Sequence, residues 1–147
     1  MELPDYISRQ EVQRICRELG IRDWTELAVP DVSLDEAKRI QAEVEAETAE
    51  IPLESFRQGL EVELEHGVVF PDANVTNNHP ILTGKIVLAH LKETLDYYQR
   101  LEVAELEGDL IKAIAKADEE ALMRKFRKLI VARANLRSQE AEQLSDR

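Results

Sequence analysis

The stretch Gly59–Glu102 decides the fold, and it reads GLEVELEHGVVFPDANVTNNHPILTGKIVLAHLKETLDYYQRLE. Its first part carries apolar residues at helical spacing as far as His66-Gly67, and Pro80 opens a second run with the same spacing. The segment 68–79 between them is rich in Asn, which is typical of a loop. The stretch therefore predicts two helices joined by a polar connection.

Short helices are predicted on the N-terminal side of this stretch. Ser8-x-x-Glu11 and Ser33-x-x-Glu36 are capping boxes, in which a serine oxygen and a glutamate satisfy free backbone N–H groups at a helix start. No other side chain of this region has the surface area of Trp24, so we expect it to fill the space between these helices.

The C-terminal side is predicted to be helical as well. The apolar side of the helix that starts at Pro80 continues to Ile114, with a break near Gly108. Asp118 then caps a last helix, and the tail 138–147 is polar and is expected to fray. The apolar positions of this last helix share three-and-four spacing and are Leu122, Phe126, Leu129, Ala132 and Leu136.

These elements predict an all-α protein, built as a helical hairpin or bundle with a small N-terminal helical module. A length of 147 residues suits one domain. We divide the predicted single domain 1–147 into the N-terminal module 1–50, a helix-loop-helix core 51–102 and a C-terminal helical extension 103–147.

Composition excludes several classes of protein. A net charge of −11 argues against a free-standing nucleic-acid binder and against binding to an anionic membrane surface. No apolar run is long enough to span a bilayer, and the first residues lack the order of a signal peptide. The single cysteine, Cys16, excludes an internal disulfide framework, and its apolar neighbours predict that it is buried. We therefore expect a cytoplasmic protein.

The charge is unevenly distributed along the chain. Residues 35–65 hold ten acidic and three basic side chains, whereas residues 112–137 hold eight basic and three acidic ones. One interpretation is two solvated helix faces. The other is that the two segments attract each other, within a subunit or across an interface.

Five short motifs within residues 54–102 resemble one known family. They are Glu61-Val62-Glu63-Leu64-Glu65-His66-Gly67, Asn74-Val75-Thr76-Asn77, Thr83-Gly84-Lys85-Ile86, Ala89-His90-Leu91-Lys92-Glu93 and Asp96-Tyr97-Tyr98-x-Arg100-Leu101. Together they are similar to a family of short bacterial and phage proteins of unknown function, and the similarity covers about a third of the chain. It implies a small helical unit and brings no activity with it. Members of the family often have Asp, the better N-cap, where this chain has His79, so we interpret His79 as a local substitution at the N-cap position rather than a functional histidine.

The same stretch contains the only candidate for chemistry, which is formed by Glu63, His66, His90 and Glu93. Each Glu lies three residues from a His, so each pair shares one side of a predicted helix. Histidine and carboxylate on facing helices can hold zinc, iron or manganese. In a plain hairpin, however, His66 and His90 lie at different heights, because His90 is roughly 15 Å along its helix from Pro80. The alternative is a structural cluster without a metal or other cofactor, in which these groups hydrogen-bond one another.

No nucleophile accompanies the histidines, so we predict no catalytic residues and no enzyme activity. The sequence favours a non-catalytic component that binds another protein or self-associates through the long helix and the basic C-terminal helix. The alternative is a metal-binding helical protein that uses Glu63, His66, His90 and Glu93.

Overall fold

A computed structural model describes residues 7–44 and 51–145 of the chain. The described residues contain helices and no strand, which confirms the all-α prediction. The helices are α1 (Arg9–Leu19), α2 (Leu34–Val44), α3 (Leu53–Val69), α4 (Pro80–Glu93), α5 (Tyr97–Ala115) and α6 (Glu119–Ser145). They form two compact units, which divide between Leu95 and Asp96.

In the first unit, α2, α3 and α4 pack against one another, and α1 contacts α4. Trp24 is completely buried, as predicted, and so is Cys16, whose thiol accepts a hydrogen bond from the Trp24 N–H. Gly84 permits the close approach of α4 to α2, since a Cβ there would lie 2.7 Å from Ile40 Cγ2. The inner side chains of this unit form one core, made of Val12, Cys16, Trp24, Val32, Ala37, Ile40, Phe56, Leu60, Leu64, Val87 and Leu91.

Both predicted capping boxes contribute to this unit. The Ser8 hydroxyl accepts a hydrogen bond from the Glu11 N–H at the start of α1. At α2 the box is reciprocal, because Ser33 Oγ accepts from the Glu36 N–H while the Ser33 N–H donates to the Glu36 carboxylate. Local sequence thus fixes where these two helices begin.

The predicted helix from Pro80 to Ile114 is in fact two helices, because α4 ends at Glu93 and α5 begins at Tyr97. Thr94 is extended, with φ −160° and ψ 138°. Asp96 is fully buried at the start of α5, and its carboxylate accepts two hydrogen bonds from the Arg100 guanidinium. This bidentate pair joins the N-cap of α5 to its first turn. The break predicted near Gly108 does not occur, since α5 continues through that residue.

The second unit is an antiparallel hairpin of α5 and α6. The turn passes through Ala117, which has a φ of 51°, and Asp118 caps α6 by accepting a hydrogen bond from the Ala121 N–H, as predicted. Its core is small, with Leu106, Leu129 and Ala132 buried and Val103 and Leu110 packed beside them. The tail predicted to fray is instead helical as far as Ser145.

Ion pairs link the two helices of this hairpin along its length. Arg100 Nη2 lies 2.8 Å from Glu140 Oε1, and Arg133 Nη2 lies 2.6 Å from Glu107 Oε1. Nearer the turn, Lys125 Nζ lies 2.5 Å from Asp109 Oδ2. Several basic residues of the segment 112–137 therefore have acidic partners within the hairpin itself.

Candidate functional site

Glu63 lies between the two histidines of the predicted cluster. Its Oε2 is 3.9 Å from His66 Nδ1, one turn further along α3, and its Oε1 is 3.7 Å from His90 Nε2 on α4. The side chain of Glu63 is 14% exposed, that of His90 30% and that of His66 60%. These distances allow an ion pair with either imidazole when that ring is protonated.

The sequence predicted different heights for His66 and His90, yet the carboxylate of Glu63 lies within 4 Å of both imidazoles. The end of α3 lies level with the start of α4, because His66 and Gly67 line one depression together with Thr83 and Ile86. One turn further along α4, His90 reaches the carboxylate of Glu63.

Glu93, the fourth predicted ligand, is exposed at the last position of α4. Within residues 7–44 and 51–145, no group of three or more His, Cys, Asp or Glu side chains could hold a metal ion as arranged. The structure therefore brings Glu63, His66 and His90 together without forming a coordination sphere, and the four-residue metal site stays a prediction.

Beside Glu63 lies a depression with mainly apolar walls. Its apolar lining includes Phe70, Val75 and Ile86, of which Phe70 and Val75 are 54% and 87% exposed. Among the polar side chains that line it are those of Glu63 and His66. The cluster thus borders an open surface.

The Asn-rich loop that follows α3 has a structural explanation. Asn74 Nδ2 donates to the Gly67 carbonyl and to Asn78 Oδ1, at 3.3 and 2.9 Å. A Cβ at Gly67 would collide with both asparagine side chains, which explains why α3 carries glycine here. The helix continues to Val69, so the predicted end at His66-Gly67 is wrong by one half turn.

His79 forms the N-cap of α4, as the sequence predicted. Its Nδ1 accepts hydrogen bonds from the Ile81 and Leu82 N–H groups, at 3.2 and 3.4 Å. Burial lowers the pKa of His79, which favours the neutral ring that can accept these bonds. This histidine therefore has a role in the fold.

The hairpin carries a second candidate site, which is a patch of exposed apolar side chains. Their exposed fractions are 69% for Ile111, 63% for Ile114, 52% for Met123, 47% for Phe126 and 51% for Ile130. We call these five residues the hairpin face.

The ion pair between Glu107 and Arg133 indicates that these five side chains lie on the same side of the hairpin. On α5, Glu107 lies four and seven residues before Ile111 and Ile114, so it shares their side of the helix. On α6, Arg133 lies three and seven residues after Ile130 and Phe126 and shares their side. Since Glu107 and Arg133 are in contact, both stripes face the same way.

Two of these residues were predicted wrongly from the sequence. Ile114 and Phe126 were expected at inner apolar positions, whereas both are about half exposed or more. The buried stripe of α6 instead uses Leu129 and Ala132. A signal was available, because Met123, Phe126 and Ile130 repeat at the same three-and-four spacing as the buried stripe.

Fold and sites together define a small all-helical protein with a histidine–glutamate cluster in one unit and an exposed apolar face in the other. The chain belongs to DUF5661, a family of proteins of unknown function, whose model matches residues 12–107. The match begins well before residue 54, where the similarity seen in the sequence began, and it ends before the hairpin face. No curated protein and no solved structure matched the chain.

No helix among residues 7–44 and 51–145 is both long enough and apolar enough to cross a membrane.

Proposed function

We propose that this protein is a non-catalytic interaction or assembly component, and that it binds protein through the hairpin face. The observation that carries the proposal is the group of five large apolar side chains, each about half exposed or more, on one side of α5 and α6. Such side chains are stabilised when another surface removes them from water.

The size of the hairpin face supports this role. Apolar patches of about 300–600 Å² are the largest on typical monomers and often mark interaction sites. Five large side chains exposed to this extent amount to a patch of roughly that size. Ion pairs such as Glu107–Arg133 border the patch, in keeping with the polar rim of protein interfaces.

Catalysis is less well supported by the chemistry of the groups present. Cys16 is buried, and burial raises the pKa of its thiol, so the nucleophilic thiolate is disfavoured. It also contacts Trp24 in the core, whereas Glu63 and His66 border an open depression.

Photo-crosslinking tests the proposed role without assuming which protein is bound. We expect benzoylphenylalanine in place of Phe126 to form covalent protein adducts in cells. The same group in place of Lys128 is the control, since Lys128 is exposed on the other side of α6. Equal yields at both positions, or none at either, would contradict binding through this face.

The second candidate function is metal binding at Glu63, His66, His90 and Glu93. The observation in its favour is that one carboxylate stands within 4 Å of two imidazoles. Zinc, iron or manganese bound here would raise the free energy of unfolding by about 2.7 kcal/mol at a hundredfold excess over its dissociation constant.

Thermal unfolding with and without each metal measures this effect. We expect the metal to raise the melting temperature of the wild type but not that of the Glu63→Gln variant. The control is Glu61→Gln, which alters the same helix, and there we expect the same metal-induced rise as in the wild type. A melting temperature that no metal raises would exclude this second function.

A further inference from the structure

From the pattern of α6 we infer that the partner of the hairpin face is a second copy of this chain, packed in the antiparallel direction about a two-fold axis near Phe126. The inference rests on the proposed function and adds the identity of the partner. It comes from the arrangement of charged and apolar residues around Phe126.

Residues on the exposed side of α6 are spaced nearly symmetrically about Phe126. Met123 lies three residues before it and Ile130 four residues after it. Glu119 lies seven residues before Phe126, and Arg133 lies seven residues after it. Helix positions seven apart share one side, so all five face the same way.

The two ends of this stripe carry opposite charges, and this makes the stripe complementary to itself. In an antiparallel pair, Phe126 meets its own counterpart, and Met123 packs against the partner's Ile130. Glu119 then lies opposite the partner's Arg133, whose side chain is 46% exposed beside Glu107. A parallel arrangement would instead place like charges together at both ends, which disfavours that orientation.

The size of the patch also suits a pair of identical chains. A stable interface buries about 800 Å² on each partner, of which a little over half is apolar. The hairpin face supplies an apolar surface of roughly that amount, because Ile111 and Ile114 of α5 lie beside the α6 stripe. Two such hairpins form a four-helix bundle with the apolar side chains inside.

Sedimentation equilibrium of the full chain over a wide concentration range tests this inference, because it measures the mass of the protein in solution. We expect the wild type to reach the mass of two chains. Replacement of a central aromatic residue raises the dissociation constant of an interface ~30-fold or more. We expect an increase of this size in the dimer dissociation constant for Phe126→Glu. The control variant Lys128→Glu should dissociate like the wild type.

Phe126 is half buried, so its replacement could also disturb the fold. A second variant separates loss of the interface from loss of the fold. Ile111 is 69% exposed, so Ile111→Glu removes an apolar contact of the pair without disturbing the hairpin. We expect it to weaken the dimer while its helical circular dichroism stays unchanged. A dimer that survives both Phe126→Glu and Ile111→Glu would overturn the inference.

The antiparallel register has its own test. A thiol on the two-fold axis meets its counterpart, so we expect Phe126→Cys to form a disulfide-linked dimer on mild oxidation. Lys128→Cys is the matched control, and the native Cys16 is buried and stays reduced. Cross-linking that is no faster for Phe126→Cys than for Lys128→Cys would exclude this axis.

Failure of the inference and failure of the proposed function give different results. A wild type that stays a single chain, together with photo-adducts at position 126 to another protein, overturns the second copy and leaves the proposed function intact. A wild type that stays a single chain and forms no photo-adducts at position 126 overturns both the inference of a second copy and the proposed function.

Discussion

Glu36 connects three parts of the first unit through one buried carboxylate. Its side chain is 6% exposed, and it pairs with Arg22 at 2.7 Å and with the Ser33 hydroxyl at 2.9 Å. The indole N–H of Trp24 also donates to it. Desolvation alone would raise the pKa of Glu36, but the hydrogen bonds from Arg22 and Ser33 outweigh it and lower the pKa to about 2.

This shift predicts a loss of stability in acid. The folded-state pKa of Glu36 is below the unfolded value of 4.5, so its contribution is complete above pH 4.5 and declines as the pH falls towards 2. The shift corresponds to at most about 3 kcal/mol. We expect Glu36→Gln to lower the free energy of urea unfolding at pH 7 and to have a smaller effect at pH 3.

The control for this experiment is Asp35→Asn, since Asp35 is the exposed neighbour of Glu36 and its side chain is 70% exposed. We expect a small effect for this variant. A Glu36→Gln effect of equal size at pH 7 and pH 3 would show that the carboxylate charge is not responsible.

At the scale of elements, two glycines in helices have opposite roles. A Cβ at Gly84 in α4 would lie 2.7 Å from Ile40 Cγ2 and 3.2 Å from Val44 Cγ1, both on α2. A Cβ at Gly108 in α5 would meet nothing within 4 Å. Glycine is therefore required at position 84 by helix packing, while at position 108 it only reduces helix propensity.

We predict opposite effects of alanine at these two positions. Gly84→Ala forces α2 and α4 apart and should lower the free energy of unfolding by about 1–3 kcal/mol. Gly108→Ala should raise it by about 0.5–1 kcal/mol, because alanine loses less conformational entropy in a helix. Thermal unfolding of the two variants measures both, and stabilisation by Gly84→Ala would show that the helices do not pack this closely.

The helix boundaries show which local signals sufficed. The caps at Ser8, Ser33, His79 and Asp118 were all predicted, because a cap depends on residues within one turn. The break before Asp96 was missed. In the sequence, Asp96 and Arg100 look like an ordinary surface pair four residues apart, and only the burial of the Asp96 carboxylate in the fold distinguishes them.

For the whole molecule, the uneven charge has a partial explanation. Within the hairpin, Lys125 pairs with Asp109 and Arg133 pairs with Glu107. Some of the basic side chains of α6 are therefore neutralised by acidic side chains of α5. Of the acidic segment, the residues at 45, 47 and 50 lie outside the described part of the chain. Attraction between the two segments stays a prediction, as do the single folding domain and the cytoplasmic location.

The sequence by itself determined the all-α class, the capped helix starts and the burial of Trp24 and Cys16, since these follow from spacing and from neighbours within a turn. The tertiary structure alone decided which stripe of α6 is buried, because both stripes repeat every three or four residues. It also decided that His90 meets Glu63, since the level at which two helices pack depends on contacts between residues distant in the chain. Local periodicity specifies a helix, whereas the face that it buries depends on what packs against it.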